Sequence, residues 1–584
     1  MAYARILLFL LLFPFLLNAK TKTPPAKPRK VFTTTPVYDS IIATYQQFEK
    51  QSRLCKLSVV GRTDVGKPLH LFVISKDSIF SPEIEKKKGK AVVMINNGIH
   101  PGEPDGIDAC IELTRTLLTN PALIPDNVVI CIVPVYNVDG CLNRGSYSRA
   151  NQDGPVEYGF RGNAKNLDLN RDFIKADAEN TLALEGAFRH WKPDVFIDTH
   201  VSDGADYQYV MTLIATQRNK LHPVLAEYMD KDLVPSLYTS MQQAKYPMCP
   251  YVETLGETPE TGIAGFLETP RFSTGYAALF NCIGFVTETH MLKPYNDRVW
   301  ATYELLKTFL AKVNADAKKI VALHAEADRQ VAAQKKFVIS WKLDTTQYEW
   351  MDFKGYEAKH KTSEVTGQQR LYYDRSQPYT KKIKFYNTYV AEKEVTAPDF
   401  YIVPQGYDHV IYLLTYSGVH LSRLTKDTTI ETEMSFIEDY QTVKNPYESH
   451  YLHSNVKTRR EKVRVTYHAG DFVIPVNQAC NRFIVETLEP EGGDSFFAWN
   501  FFDGILQQKE WFSDYVFEEK ADSILKNDPQ LKAALDAKRQ SDTAFAANGW
   551  AQLNFVYQHS AYKEPTHNRY PVGRVYGEIE LPVR

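Results

Sequence analysis

The sequence predicts an α/β domain with a mixed, largely parallel sheet flanked by helices, followed by a second, β-rich domain. Three observations carry this prediction. Short apolar runs such as Ala91-Val92-Val93-Met94-Ile95 recur between residues 38 and 310, with the length and β-branched content of buried strands. Helical patterns with apolar residues three and four apart separate these runs. Beyond residue 335 the pattern changes to short, alternating or aromatic stretches with few helices. A chain of 584 residues is too long for one domain. The expected division is a leader over residues 1–19, a spacer over 20–37, the α/β domain over 38–334 and the β-rich region over 335–584.

In the leader, Arg5 precedes an apolar run over residues 6–17, the length of a signal-peptide core and too short to span a bilayer. Leu17-Asn18-Ala19 offers a cleavage site, and Pro24, Pro25 and Pro28 mark a Thr/Lys/Pro-rich spacer. No later stretch reaches the ~18 apolar residues of a membrane-spanning helix. The mature chain is therefore expected to be soluble and either secreted or periplasmic, the alternative being that the segment stays as an anchor.

Residues 39–52 space Ile41, Ile42, Tyr45 and Phe48 along one face of a packing helix. Residues 57–63 and 69–75 flank Asp64-Val65-Gly66-Lys67 and read as a hairpin. Residues 107–118 are helical. Residues 127–135 form a buried strand that ends in the turn-rich Tyr136-Asn137-Val138-Asp139-Gly140. Residues 182–191 are helical, 194–198 are a strand delivering Thr199-His200, and 283–287 are a strand leading through Glu288. An Ala/Lys/Glu-rich helix over residues 299–333 leaves the domain. In the second region, residues 336–343, 370–373, 382–385, 389–395 and 462–467 read as strands, and 407–424 carry a helical pattern. Tyr401-Ile402-Val403-Pro404 and Trp499-Asn500-Phe501-Phe502-Asp503 read as core.

A formal net charge of −2 gives no reason to expect nucleic acid or an anionic membrane surface as a partner. The seven cysteines contain no C-x-x-C pair, so they suggest neither a disulfide framework nor a thiolate zinc site. Cys110, Cys131, Cys141 and Cys282 stand in apolar surroundings as small core residues.

The chemistry gathers at strand ends. His100-Pro101-Gly102-Glu103 places an imidazole and a carboxylate three residues apart in the loop after an apolar strand. A catalytic zinc takes three such ligands and keeps a fourth position open. His200, directly after another strand, is the candidate third ligand, because sites in open α/β sheets gather at the carboxyl ends of the strands; the alternative reading is a satisfied core histidine. The expectation is one Zn²⁺ per chain on His100, Glu103 and His200.

With Arg161-Gly162-Asn163-Ala164-Lys165-Asn166-Leu167-Asp168-Leu169-Asn170-Arg171 the chain resembles the carboxypeptidase A-like zinc metallocarboxypeptidases. The resemblance covers roughly residues 38–310. It implies that His100, Glu103 and His200 are the metal ligands and that Asn170-Arg171 grips the terminal carboxylate of a peptide. It implies further that Arg161 polarises the scissile carbonyl, that Glu288 is the catalytic glutamate, and that Tyr276 covers the substrate terminus. Physical chemistry fits these roles: a guanidinium binds a carboxylate bidentately and stabilises an oxyanion, and a carboxylate relays the proton of an activated water. Asp168 suits an acceptor for a ligating imidazole, His100 above all. Arg144 and Arg149 compete with Arg161, Tyr251 and Tyr295 with Tyr276, and Glu268 with Glu288. His290 reads as core.

The expected activity is removal of C-terminal residues from peptides with a free carboxylate. One alternative is a same-fold amidase, deacylase or cell-wall peptide hydrolase. The other is an inactive protein that binds peptide ends.

Overall fold

The computed structural model describes residues 29–577 and 579–584, so the leader and residues 20–28 of the spacer lie outside the described residues. The rest of the spacer lies along the protein: Phe32 is buried against Trp300 at 5.7 Å, and Arg29 pairs with Glu304 at 2.8 Å.

The α/β domain opens with helix α1 (Tyr38–Gln51), whose buried face is Ile41, Ile42, Tyr45 and Phe48. The hairpin β1 (Cys55–Arg62) and β2 (Pro68–Ile74) follows, then α2 (Pro82–Lys87), β3 (Ala91–Asn96) and α3 (Asp105–Thr119). Next come β4 (Val128–Val133), α4 (Val138–Leu142), α5 (Glu179–Trp191), β5 (Val195–Ser202) and β6 (Met211–Ala215). The chain then forms α6 (Pro223–Tyr228), α7 (Val234–Gln243) and three short strands, β7 (Met248–Pro250), β8 (Glu253–Thr254) and β9 (Ile263–Ala264). It closes with α8 (Ser273–Leu279), β10 (Ile283–His290) and the 39-residue helix α9 (Tyr295–Ala333).

All of these strands but β8 and β9 build an eight-stranded sheet in the order β1-β2-β4-β3-β5-β10-β6-β7. Its centre, β4-β3-β5-β10, is parallel, and the β1–β2, β2–β4 and β10–β6 pairs are antiparallel. The mixed, largely parallel sheet expected from sequence is therefore observed. Every residue of β3, β4 and β5 is buried, as a strand covered on both faces requires. The seven cysteines are all unpaired, and six of them are buried.

Past α9 the chain is β-rich. Strands β11 (Lys336–Leu343) and β14 (Tyr389–Thr396) pair, and between them stands the hairpin β12 (Glu349–Thr362) and β13 (Gln369–Tyr386). The sequence suggested two short strands where β13 runs unbroken for 18 residues; only Ile383 of the strand is buried, so burial does not alternate along it. Strand β13 also pairs with β9 of the first domain, tying the two regions together. A six-stranded sheet follows, ordered β16-β19-β15-β20-β17-β18. Its members are β15 (Phe400–Val403), β16 (Ser422–Arg423), β17 (Thr428–Thr442), β18 (His453–Tyr467), β19 (Phe472–Pro475) and β20 (Gly573–Val575). Helix α10 (Asp408–Tyr416) follows β15, and α11 (Asn481–Leu488) packs on α9. Helices α12 (Asp514–Asn527), α13 (Pro529–Ser541), α14 (Thr543–Ala546) and α15 (Gly549–Gln558) enclose a small core of their own. The largest apolar core runs through both regions, from Phe32, Ile95, Phe285 and Phe309 to Phe337, Tyr401, Val485 and Val572, with smaller clusters around Phe353 and around Tyr467.

No helix among the described residues is long and apolar enough to cross a membrane.

Candidate active site

The site lies where the parallel strands end. β3 and β5 are direct neighbours, so the loop after β3 and the end of β5 meet. Gly106 lets α3 approach β5 closely, since a Cβ there would fall on Thr199 Oγ1 and Asn97 Oδ1. His100 and His200 are consequently buried side by side, their ring centroids 4.9 Å apart.

The Nδ1 atoms of His100 and His200 each lie 3.3 Å from a different oxygen of Glu103. Behind the rings, His100 Nε2 donates to Asp168 Oδ1 at 2.9 Å, and His200 Nε2 lies 3.1 Å from Asp198 Oδ2. At His100 the hydrogen bond to Asp168 fixes the proton on Nε2 and leaves the Nδ1 lone pair facing inward, the arrangement a ligating imidazole needs. The three ligand atoms lie within 4.8 Å of one another, and His100 Nδ1 is buried without a hydrogen-bond partner. Two imidazole nitrogens and one carboxylate fit a catalytic zinc.

Glu103 is held from both sides, by Arg149 Nη1 at 2.8 Å and by the amide of Val201 at 2.8 Å. Burial opposes its charge, but Arg149 and His100 outweigh it and keep the carboxyl well below the usual range. Asp168 is likewise held low against its burial, by His100 and Arg161.

A groove of about 470 Å³ opens over this centre, lined among others by Arg149, Arg161, Asn170, Arg171, Tyr251 and Glu288. Arg161 grips Asp168 at 2.9 Å and comes within 3.6 Å of Glu103, with its side chain 45% exposed. Asn170 Oδ1 accepts from the backbone amide of Ser273 at 3.0 Å, which leaves Nδ2 as its donor. The Arg171 guanidinium lies over Phe272 at 4.3 Å. Glu288 is paired in register with His200 across β10 and β5, and its Oε2 is buried without a partner. Burial pushes its carboxyl up to about 8, with Glu103 and Glu268 adding to the rise against the pull of His200.

Of the nine residues singled out from sequence, eight therefore converge on or directly behind this groove. Tyr276 does not. Its residue is 2% exposed, and its ring packs among Phe173, Phe188, Phe280 and Phe483 at 5.0–6.3 Å. The turn of α8 aims it at α5 and α11, while Phe272, just before the helix, faces the groove. The tyrosine in the groove is Tyr251. His290 is a core residue, bonded to Ala205 O at 2.8 Å and held down to about 4, chiefly by burial. Arg149 pairs with a proposed ligand, yet in sequence it sits in an unpatterned loop. Glu268 is a second buried carboxyl lining the groove, also pushed up by burial to about 8.

The family described as zinc carboxypeptidase matches residues 41–219. Carboxypeptidase 2 from Trichophyton equinum is 21% identical over 462 residues, covering 72% of this chain and 75% of that protein. Carboxypeptidase 2 from Trichophyton rubrum is 20% identical with the same coverage. Among solved structures, a metallo-carboxypeptidase from Burkholderia cenocepacia aligns at 18% identity and a TM-score of 0.35, over 47% of this chain and 68% of that one. Residues 41–219 are thus similar to the zinc carboxypeptidases, and the curated relatives that match most of this chain are themselves carboxypeptidases.

Proposed function

We propose that this protein is an exported carboxypeptidase that releases C-terminal residues from peptides, with one zinc per chain on His100, Glu103 and His200. The observation that carries this reading is the meeting of three things in one groove. They are the ligand set, the buried carboxyl of Glu288, and the Asn170-Arg171 pair that suits a terminal carboxylate.

When bound, zinc supplies Lewis acidity and brings the pKa of a water to about 7. Glu288 takes the proton of the attacking water and passes it to the departing amine; a carboxyl with a raised pKa suits both directions of transfer. Arg161 reaches the centre from the open side and stabilises the negative charge that develops on the carbonyl oxygen. Arg171 and the Asn170 amide hold the peptide's carboxylate, which sets the scissile bond one residue inward. Asp168 keeps His100 and Arg161 in place together. The apolar leader supports export.

Peptides differing only in a free or amidated C-terminus, incubated with and without a zinc chelator, test the reading. A carboxypeptidase cleaves the free acids alone and loses this activity to the chelator. Equal hydrolysis of acid and amide would replace the reading with an amidase.

A further inference from the structure

Strands β17 and β18 are joined by a loop that carries a tight turn, with Tyr447 and His450 exchanging backbone hydrogen bonds of 2.8 and 3.0 Å. The two central residues, Glu448 and Ser449, have φ of +50° and +69°. Turns with two left-handed central residues normally use Asn-Gly or Gly-Gly. Non-glycine residues stay in this region only where their surroundings hold them, and such places cluster at functional sites.

The surroundings here are specific. His450 Nε2 meets Asp177 Oδ2 at 2.9 Å, and its Nδ1 meets Asn500 Oδ1 at 2.6 Å. Tyr447 stacks on Trp499 at 6.2 Å. The Arg271 guanidinium lies over both rings, and Asp494 fixes it at 2.6 Å. A turn pinned on both flanks aims Glu448 Oε2 at the backbone amide of Asp168, which donates to it at 2.8 Å. The carboxylate of Asp168 in turn accepts from His100, Arg161 and the amide of Asn170, each at 2.9 Å. The backbone of Asp168 thus sets the position of one proposed ligand, the oxyanion arginine and the start of the carboxylate clamp.

We propose that Glu448 is a positioning residue for the metal centre and that the C-terminal region, through this turn, completes the active site. The proposal rests on reading His100 as a zinc ligand. Groups behind a metal ligand typically change metal affinity or activity by 10–100-fold when removed. Glu448 acts one bond further out, so the lower end of that range applies.

In the full-length protein, Glu448→Ala should weaken zinc binding about 10-fold in chelator competition and lower kcat by a similar factor. Glu448→Gln keeps an oxygen for the Asp168 amide and should stay within about 2-fold of wild type on both measures. Glu448→Asp keeps the charge but is one methylene short, so it should behave like Glu448→Ala and serves if that variant does not fold. Wild-type zinc affinity in the Ala and Asp variants overturns the proposal. Equal losses in the Ala and Gln variants overturn it too, because they mean a general weakening of the fold. Should the wild type cleave no peptide at all, the carboxypeptidase reading falls, and the zinc-affinity comparison still decides on Glu448.

Discussion

Glu288 stands directly across from His200 in the parallel pairing of β10 with β5. Residues opposed in this way project to the same face of a sheet, so the two side chains share one strand end whatever the surrounding loops do. Glu288→Gln keeps the size of the side chain and removes the proposed base. Its kcat is expected to fall at least ~10²-fold while zinc content is unchanged. Near-normal turnover would transfer the role to Glu268, the other buried carboxyl in the groove.

Metal analysis of the purified protein should find about one zinc per chain, as a three-ligand site requires. His200→Ala should lose it. Stoichiometric zinc in a His100→Ala/His200→Ala double variant would exclude this site.

The contact of Arg171 with a substrate carboxylate should contribute roughly 2–5 kcal/mol in a partly dry groove. Arg171→Ala is therefore expected to lower kcat/KM on free-acid peptides about 10²-fold or more. It should also narrow the gap between acid and amide substrates. Arg161→Ala should slow the cleavage of both by similar factors, since its proposed role is at the carbonyl oxygen. If both variants narrowed the gap equally, the assignment of the carboxylate to Arg171 would be lost.

Away from the groove, His324 of α9 meets Asp194, just before β5, at 2.7 Å inside the protein. Burial works against both charges, but each partner's field dominates, so His324 is raised from 6.5 and Asp194 is lowered from 3.8. The histidine's contribution to stability is complete below pH 6.5 and fades as pH rises through its folded value. The aspartate's is complete above pH 3.8 and fades as pH falls through its own. The pair should therefore stabilise most between these limits. Breaking one partner of a buried pair costs about 3–5 kcal/mol. The Tm deficit of His324→Gln should be largest near pH 5 and shrink toward pH 9. A deficit independent of pH would mean that shape alone explains it.

Local features of this protein were legible in the sequence. The run over residues 91–95 is apolar because the strand is covered on both faces, and His100 and Glu103 follow it within eight residues. Their loop had no freedom to scatter them. Tyr276 illustrates the limit: its spacing from Glu288 is visible, but which side of α8 faces the groove depends on how α5 and α11 pack. The hairpin strands β12 and β13 were only partly legible, because much of their surface is solvated and the alternation of buried and exposed residues is weak. Glu448 could not be read at all, since it lies 280 residues from the amide it accepts.

Helix α9, with 39 residues, is about 58 Å long at 1.5 Å per residue. One part of it packs on α3 and α7, and it also meets α11 of the C-terminal region. A shared beam of this kind leaves no seam between the two halves. Cutting the chain after Gln334 would remove α11 from α9, together with the Asn481 side-chain amide that donates to Val331 O at 3.0 Å, so a fragment ending there should aggregate instead of surviving as a smaller enzyme. Limited digestion should release no stable N-terminal piece, and calorimetry should record one melting event for the bulk of the molecule. The C-terminal half is not a cassette that could be exchanged among relatives without rebuilding the helix beneath it.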